Sequence, residues 1–265
     1  MGPAPQPAGG PAATLPTGDD KTARVRAIFD AIAPRYDLVN RLMTLGLDRR
    51  WRRRTVDALA LPQGATVLDL ACGTGDLSVL ARRQGYRVVG VDASVGMLAA
   101  NHAPVPLVLG AAEHLPVADG SLDGVVCGYA LRNFTELAPA LEEMARVLRP
   151  GGRVALLEVA TPPPGALRAG FDVWFERVVP RLGGLLSDRD AYRYLPRSTA
   201  YLPDEAALRR MLRAAGFSAV GRRLLSGGLS QLLVATRVGR LPPEVGPAGP
   251  APGAPAPDPD PAGAP

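Results

Sequence analysis

Two hydrophobic periods alternate along most of this 265-residue chain. Short apolar runs, which are typical of buried strands, are separated by segments whose apolar residues have the spacing of one helix face. The predicted strands are Thr66–Ala71, Arg87–Asp92, Val105–Gly110, Leu122–Tyr129, Gly152–Thr161, Gly216–Leu225 and Ser230–Arg237. The predicted helices are Gly75–Gln84, Val95–Asn101, Thr135–Leu148, Gly165–Val179 and Pro203–Ala215. This alternation predicts an α/β fold around a mainly parallel, doubly wound sheet.

The two ends of this pattern differ from its middle. Only Ser226–Leu229 joins the last two strands, and such a short connection predicts a terminal antiparallel hairpin. Before the first strand, Lys21–Ala33 and Arg35–Trp51 have helical spacing, and Gly46 is expected to break the second segment. The sequence therefore predicts a seven-stranded sheet that N-terminal helices precede.

Composition narrows the class of protein. Residues 1–20 and 240–265 are rich in Pro, Ala and Gly and are expected to be disordered, which leaves one domain over residues 21–239. Cys72 and Cys127 are far apart in sequence, which argues against a disulfide framework and fits a reducing cytoplasm. The net charge of +5 permits an anionic partner but does not require a nucleic acid. We expect neither a membrane span, which needs ~18 apolar residues, nor a signal peptide.

The stretch VLDLACGTGDLS, Val67–Ser78, carries the first candidate chemistry. It combines a buried strand, a turn of small residues that includes Gly73 and Gly75, and a helix start, so a ligand can approach the main chain closely. A dinucleotide fingerprint would require a third glycine where Ser78 stands and a helix N-terminus without Asp76. S-adenosyl-L-methionine (SAM) fits this loop better, because SAM carries no phosphate.

Two acids at strand ends support the SAM interpretation. Asp69 interrupts an apolar run and can accept the SAM ammonium directly or through water, while the loop amides accept the SAM carboxylate. Asp92 ends the next strand about twenty residues later, where an acid binds both ribose hydroxyls. Ala111 and Ala112 follow the third strand and leave room for a flat adenine ring. No spacing of His, Cys and carboxylate residues predicts a metal site.

The segment YALRNF, Tyr129–Phe134, follows the fourth strand and is expected at the open side of the same pocket. Arg132 and Asn133 are adjacent polar residues at a strand end, which is a functional position in this architecture. Asn133 could instead cap the following helix. Tyr36 could bond a polar substrate group with its phenol, or it could be an amphipathic anchor with a wet tip.

Two further segments bear on surfaces. The run RRWRRR, Arg49–Arg54, is either a solvated helix face or a patch that meets anionic lipid head groups with Trp51 at the interface. An RNA-binding surface would require more aromatic residues on which bases can stack, or a second row of basic residues, and the sequence has neither. Gly165–Val179 is either core or an apolar lid over a substrate, and Tyr192–Ser198 then adds two phenols and two arginines.

Over Val25–Thr236 the chain resembles the ubiquinone/menaquinone biosynthesis C-methyltransferase family. The segments that carry the resemblance are RVRAIFDAIAPRYDLVNRLMTLGLDRRW, VLDLACGTGDLS, AAEHLPVADGSLD, YALRNF, RVLRPGGRVALLEVATP and YRYLP. The chain departs from the family pattern at Asp48, where the family often has a histidine, and at Ala160, where it often has a serine.

The resemblance implies a class I, Rossmann-like methyltransferase that moves the SAM methyl group to a ring carbon of a prenylated quinol. Arg132 is expected to hold the quinol anion or to order a water that removes its proton, and Tyr36 and Asn133 would hydrogen-bond the quinol oxygens. By matching motif positions, the residues that would line SAM are Thr74, Asp92, Ala111, Ala112 and Gly128.

Demethylmenaquinol is the favoured substrate, which would make the reaction the final step of menaquinone biosynthesis. A ubiquinol precursor, another small molecule or an RNA that meets the same SAM site are the alternatives, and a non-catalytic SAM-binding protein is a third class. Because a prenylated quinol resides in the bilayer, we expect a cytoplasmic enzyme that touches the inner face of the cell membrane through Arg49–Arg54 and the helix around Leu167–Val178. A homodimer is compatible with this interpretation.

Overall fold

The computed structural model describes residues 17–174, 178 and 198–239. Its seven strands form one sheet in the order β3-β2-β1-β4-β5-β7-β6. The strands are β1 Thr66–Leu70, β2 Arg87–Asp92, β3 Leu107–Leu109, β4 Leu122–Gly128, β5 Leu148–Val159, β6 Phe217–Leu225 and β7 Ser230–Arg237. Strands β1 to β5 pair in parallel, whereas β7 runs antiparallel between β5 and β6. The predicted fold class, including the terminal hairpin, is confirmed.

Eight α-helices flank the sheet in the described part of the chain. They are α1 Gly18–Ile32, α2 Tyr36–Met43, α3 Asp48–Asp57, α4 Asp76–Arg83, α5 Val95–Ala99, α6 Leu137–Val147, α7 Ala166–Val173 and α8 Glu205–Ala214. Local side chains fix two of the starts, since Ser94 caps α5 by accepting the Met97 N–H and Asp204 caps α8 by accepting the Ala207 N–H.

The core lies on both faces of the sheet, because neighbouring strand residues point to opposite sides. On one face, Val125 and Cys127 of β4 belong to the apolar cluster that includes Leu141 of α6. On the other face, Val126 belongs to the cluster that includes Trp51 of α3. Strands covered on both sides explain why the parallel strands appear in the sequence as short, continuous apolar runs.

The structure corrects several predicted boundaries. Helix α1 begins at Gly18, inside the stretch expected to be disordered. The segment Arg35–Trp51 contains two helices, and Gly46, at a φ of +75°, lies between them as predicted. Strand β3 has only three residues, since Pro106 has no N–H to extend the ladder.

The expected interfacial position of Trp51 is wrong. Its side chain is buried, and its indole Nε1–H donates to Ser226 Oγ at 2.9 Å. Arg52 is buried as well, so only part of the run RRWRRR faces outward.

The predictions for residues 1–16, 192–197 and 240–265 lie outside the described residues. The same holds for the part of the predicted helix Gly165–Val179 that follows Trp174, apart from Val178.

Candidate active site

The carboxyl ends of the first parallel strands border a cavity of about 110 Å³, which we call the inner cavity. Gly73 follows β1, Asp92 ends β2 and Gly128 ends β4. Gly110 and Ala112, which follow β3, complete this wall. In a doubly wound sheet this edge is where ligands bind.

The loop between β1 and α4 uses its two glycines differently. Gly73 has a φ of +53° and borders the cavity, and the nearest atom that a Cβ there would meet is Met97 Sδ at 3.9 Å. Glycine at this position therefore supplies the backbone conformation and leaves the wall open to a ligand. Gly75 precedes α4 with a φ of +98°, and a Cβ there would lie 2.6 Å from Asn101 Oδ1. Glycine at position 75 is thus required by packing behind the wall.

Asp92 lies on the cavity wall and holds the loop in place. Its Oδ2 accepts the Gly73 N–H and its Oδ1 accepts the Ser94 N–H, each at 2.8 Å. Burial raises the pKa of Asp92, and these two backbone donors act in the opposite direction. A fixed carboxylate on the wall is suited to accept hydrogen bonds from the hydroxyl groups of a ligand.

Asp69 lies behind the wall rather than on it. Its side chain is buried, and Oδ2 accepts a hydrogen bond from Ser78 Oγ at 2.6 Å. Within the described residues, Oδ1 is buried without a hydrogen-bond partner. Burial raises the pKa of Asp69 to about 7. Asp69 is therefore not among the residues that line the cavity, and its unpartnered Oδ1 can accept a hydrogen bond from a water or from an ammonium group.

Other predicted residues also divide between the wall and its support. Thr74 Oγ1 donates to Asp37 Oδ1 at 2.6 Å, which ties the loop to α2. Ala111 forms an isolated β-bridge with His114. Of the residues predicted to bind SAM, four line the wall, namely Gly73, Asp92, Ala112 and Gly128, and four lie outside it, namely Asp69, Thr74, Gly75 and Ala111.

Helix α1 covers the inner cavity, which the sequence pattern did not reveal. Val25, Arg26 and Phe29 line the cavity from this side. Near the C-terminal end of the helix, Asp30 Oδ1 accepts the Gly96 N–H at 2.9 Å and also the hydroxyl of Ser94. The cover is therefore attached to the residues that follow Asp92.

The other end of α1 is attached by a buried cation. Lys21 Nζ donates to the carbonyl oxygen of Phe134 and lies 4.1 Å from the centroid of the Tyr201 ring. The hydroxyls of Thr22 and Thr135 are hydrogen-bonded at 2.5 Å. Burial lowers the pKa of Lys21, although the nearby Glu113 acts in the opposite direction.

A second cavity, of about 370 Å³, lies between α2, α3 and α7, and we call it the outer cavity. Trp174 Nε1 donates to the Met43 carbonyl oxygen at 2.9 Å, which joins the end of α7 to α2. The described part of the predicted lid helix therefore lies against this cavity. Most of the lining is apolar and includes Met43, Leu45, Leu47, Leu167, Phe171 and Trp174.

Three aromatic residues belong to both cavities. Phe29, Tyr36 and Tyr129 line the inner and the outer cavity alike. The rings of Phe29 and Tyr36 meet edge to face with centroids 6.1 Å apart. Tyr129 has a φ of +62°, a strained conformation for a non-glycine residue, and such strain is concentrated at functional sites. The two cavities are thus adjacent compartments of one site.

Arg132 and Asn133 meet at this boundary. Asn133 lines the inner cavity, and its Nδ2 donates to the Tyr129 carbonyl oxygen at 3.3 Å. Arg132 lines the outer cavity, and its Nη1 donates to the same carbonyl at 2.9 Å. The Arg132 guanidinium also forms an ion pair with Glu158, a buried acid that the sequence analysis did not single out.

Residues 17–237 match the ubiE/COQ5 methyltransferase family. The chain belongs to this family. A demethylmenaquinone methyltransferase of Thermus thermophilus is 44% identical over 220 residues, which cover 79% of this chain and all of that protein. A ubiquinone/menaquinone biosynthesis C-methyltransferase of Syntrophotalea carbinolica is 41% identical over 216 residues, which cover 78% of this chain and 91% of that protein. The family predicted from the sequence motifs, and the methyltransferase class, are confirmed.

More distant structures share the fold. The [4+2]-cyclase SpnF superposes with a TM-score of 0.61 at 17% identity, over 85% of this chain and 97% of that one. A SAM-dependent methyltransferase of Thermotoga maritima has a TM-score of 0.58 at 21% identity, over 80% of this chain and 99% of that one.

In the described residues, no group of three or more His, Cys, Asp or Glu is arranged to hold a metal ion.

Proposed function

We propose that this enzyme transfers the methyl group of SAM to a ring carbon of demethylmenaquinol, the final step of menaquinone biosynthesis. The observation that carries the proposal is the wall that the inner and outer cavities share at Tyr36 and Tyr129. A cavity with a fixed carboxylate thus adjoins a larger, apolar cavity. Relatives that are 43–44% identical and are named demethylmenaquinone methyltransferase support the same reaction.

The lining of the inner cavity is suited to SAM. Asp92 presents its carboxylate on the wall, where the ribose hydroxyls can donate to it. Ala112 and Gly128 are small enough to leave space for a flat ring. Asp69 places a buried, unpartnered oxygen behind the loop, and an ammonium group or a water would satisfy that oxygen.

The outer cavity fits a prenylated quinol. Arg132 and Tyr36 offer polar groups near the boundary, and the remaining lining is mostly apolar, as a prenyl chain requires. At the rim, Leu45 is 73% exposed and Leu167 is 49% exposed, although both also line the cavity. A long apolar chain can therefore leave the protein over an apolar edge.

The chain's own residues align the quinol, exclude water and stabilise charge, while bound SAM supplies an electrophilic methyl group. A quinol that has lost a phenolic proton is nucleophilic at the adjacent ring carbon, and the Arg132 guanidinium can stabilise its negative charge. The ring carbon that gains the methyl group then loses its own hydrogen as a proton to water, which restores the aromatic ring. Arginine stays protonated, so Arg132 holds the anion or orders a water that takes the proton. Tyr36 and Asn133 hydrogen-bond the quinol oxygens. Alignment alone is worth up to ~7–11 kcal/mol in favourable cases.

Methyl transfer from labelled SAM to a panel of quinols tests this function. The panel contains reduced and oxidised demethylmenaquinone, a ubiquinol precursor and RNA, and the products are identified by mass. We expect label in menaquinol from the reduced substrate only, because the oxidised ring is not electron-rich. Arg132→Ala is expected to lose turnover while SAM affinity, measured by calorimetry, survives. The exposed Arg223, changed to alanine, is the matched control.

Each alternative has its own outcome in this assay. Transfer to the ubiquinol precursor alone would assign the chain to the ubiquinone branch, and RNA binding with a steep salt dependence would favour an RNA substrate. SAM binding without transfer to any acceptor would indicate a non-catalytic protein. Unchanged turnover of Arg132→Ala would remove Arg132 from the mechanism.

We further propose that the rim of the outer cavity contacts the inner face of the cell membrane. Large apolar side chains are exposed on α2, on the turn after it and on α7, and each of these elements also contributes residues to the lining of the outer cavity. No helix among the described residues is both long and apolar enough to cross a bilayer. A basic groove adjoins α2 and is lined by Arg41, Arg49, Arg52, Arg53 and Arg83, with Asp76 as its acidic residue. The exposed apolar residues are Leu38, Leu42, Leu45, Leu167 and Val173.

A further inference from the structure

Glu158 is a fully buried acid beside the outer cavity. It lies near the end of β5, one residue beyond the last β5 residue that pairs with β4, Leu157 opposite Gly128. Its Oε1 accepts the Val159 N–H at 2.8 Å and forms the ion pair with Arg132 Nη1. Within the described residues, Oε2 is buried and has no hydrogen-bond partner.

The contacts of Arg132 fix one side of its guanidinium. Nε donates to Ser198 Oγ at 3.0 Å, and Nη1 donates to the Tyr129 carbonyl oxygen and to Glu158. These bonds hold the planar group between β4 and β5 at the carboxyl edge of the sheet. None of the hydrogen bonds described for Arg132 involves Nη2. The Arg132 side chain lines the outer cavity.

Stability alone gives a weak reason for this ion pair. Removing two charges from water is costly, and apolar residues of similar volume are often as stable as a buried pair. Glu158 also leaves one oxygen without a hydrogen bond, so the pair is not optimised for burial. Both the buried ion pair and the unpartnered oxygen are accounted for if the role of Glu158 is to orient the Arg132 guanidinium rather than to stabilise the fold.

We infer that Glu158 is a positioning residue that orients Arg132 toward the quinol oxygen. The inference rests on the proposed quinol methylation. Glu158 is behind Arg132 and acts through it, since its own side chain is fully buried. The carboxylate sets the direction of the guanidinium before the substrate arrives, so less reorganisation is needed when quinol charge develops.

Glu158→Ala and Glu158→Gln test this role by turnover and by quinone binding. Oxidised demethylmenaquinone is the unreactive probe, and its binding is followed by quenching of the fluorescence of Trp51 and Trp174, which both line the outer cavity. We expect the kcat of Glu158→Ala to fall about 10- to 100-fold, by analogy with the loss caused by removing the outer residues that orient metal ligands. Quinone affinity should fall as well. Both losses should be smaller in Glu158→Gln than in Glu158→Ala, because Gln keeps a hydrogen-bond acceptor. SAM affinity should not change.

A double-mutant cycle separates positioning from general damage. In an Arg132→Ala background, Glu158→Ala should cause no further loss of quinone affinity or turnover, since the group that it orients is gone. Glu143→Gln, which breaks the Glu143–Arg146 ion pair on α6, is the matched control and should leave both readouts unchanged. If Glu158→Ala lowers the melting temperature below the assay range, Glu158→Gln replaces it in the cycle.

Wild-type turnover in a Glu158→Ala protein would overturn the inference, as would an equal loss in the presence and absence of Arg132. If the wild-type protein fails to methylate demethylmenaquinol, the proposed function fails instead. If the wild type is active and the variants match it, only the role of Glu158 fails.

Discussion

Asp69 and Asp92 lie near one ligand site but differ in what they can do there. Both oxygens of Asp92 accept backbone N–H groups, and the residue borders the inner cavity. Asp69 lies behind the loop, with one oxygen bonded to Ser78 and the other without a partner. We therefore expect Asp92 to contact the donor directly and Asp69 to act through charge and a bridging group.

The raised pKa of Asp69 predicts pH-dependent SAM affinity. Without ligand, burial raises this pKa to about 7, so the carboxyl is largely protonated at lower pH. A nearby ammonium group favours the ionised form, so binding should release a proton and weaken as the pH falls. The ionised fraction changes about tenfold between pH 8 and pH 6, and SAM affinity, measured by calorimetry, should fall by a similar factor.

Asp69→Asn provides the comparison. Asn keeps an acceptor for Ser78 but cannot ionise, so we expect weaker SAM binding at pH 8 and a much flatter pH profile. Asp92 also has a raised pKa, and its contribution should persist in this variant. The exposed Asp119, changed to asparagine, is the matched control. A pH profile of Asp69→Asn as steep as that of the wild type would contradict the role of Asp69.

The sequence predicted some site residues better than others for a physical reason. The ends of parallel strands meet at one edge, so Asp92, Gly73 and Arg132 could be placed together from the strand pattern alone. Glu158 could not, because an acid inside an apolar strand run does not reveal which distant cation it pairs with. The sequence prediction placed Trp51 at the surface because five arginines surround it, whereas Trp51 lies on the buried face of α3.

At the scale of elements, α1 is the part of the site that periodicity could least reveal. Its apolar spacing predicted a helix, but its attachment depends on polar contacts more than sixty residues away in sequence, such as Asp30 with Gly96. The sheet was easier to predict, because each parallel strand is a compact apolar run between turn signals. The end of α1 that carries Lys21 is attached to the segment that follows Arg132 and Asn133.

Weakening this attachment should loosen the cover of the inner cavity. Lys21→Met removes the hydrogen bond to the Phe134 carbonyl oxygen and the cation over the Tyr201 ring. We expect faster amide hydrogen exchange in α1 and faster SAM dissociation in a stopped-flow displacement experiment, because the helix opens more often. Arg24→Met, an exposed change on the same helix, is the matched control. Unaltered exchange and dissociation in Lys21→Met would show that Lys21 does not hold the cover.

At the scale of the whole molecule, the apolar rim and the basic groove predict how the enzyme reaches its substrate. We expect Leu45→Ser to reduce sedimentation with anionic vesicles, because it removes the most exposed of the rim leucines from the bilayer contact. Arg49→Gln should make binding less sensitive to salt and to anionic lipid. Leu224→Ser, which changes an exposed leucine on β6 outside the rim, is the control.

The same variants test a homodimer that would cover the rim instead. Sedimentation velocity without vesicles should show the same oligomeric state for the wild type and for Leu45→Ser. A dimer that dissociates in Leu45→Ser would assign the rim to a second copy of the chain. Binding of the wild type and both leucine variants to vesicles at equal strength would contradict the membrane proposal.

An experimental structure with S-adenosylhomocysteine and demethylmenaquinone bound together tests the central claim most directly. We predict that the sulfur lies in the inner cavity near Asp92 and the quinone ring in the outer cavity near Arg132, with the prenyl chain leaving past Leu45. The gap between sulfur and ring carbon should leave room for one methyl group in line, so that the reacting atoms lie about 3–3.5 Å apart once the methyl is present. A quinone bound away from the wall formed by Tyr36 and Tyr129, or separated from the sulfur by these side chains, would contradict the account.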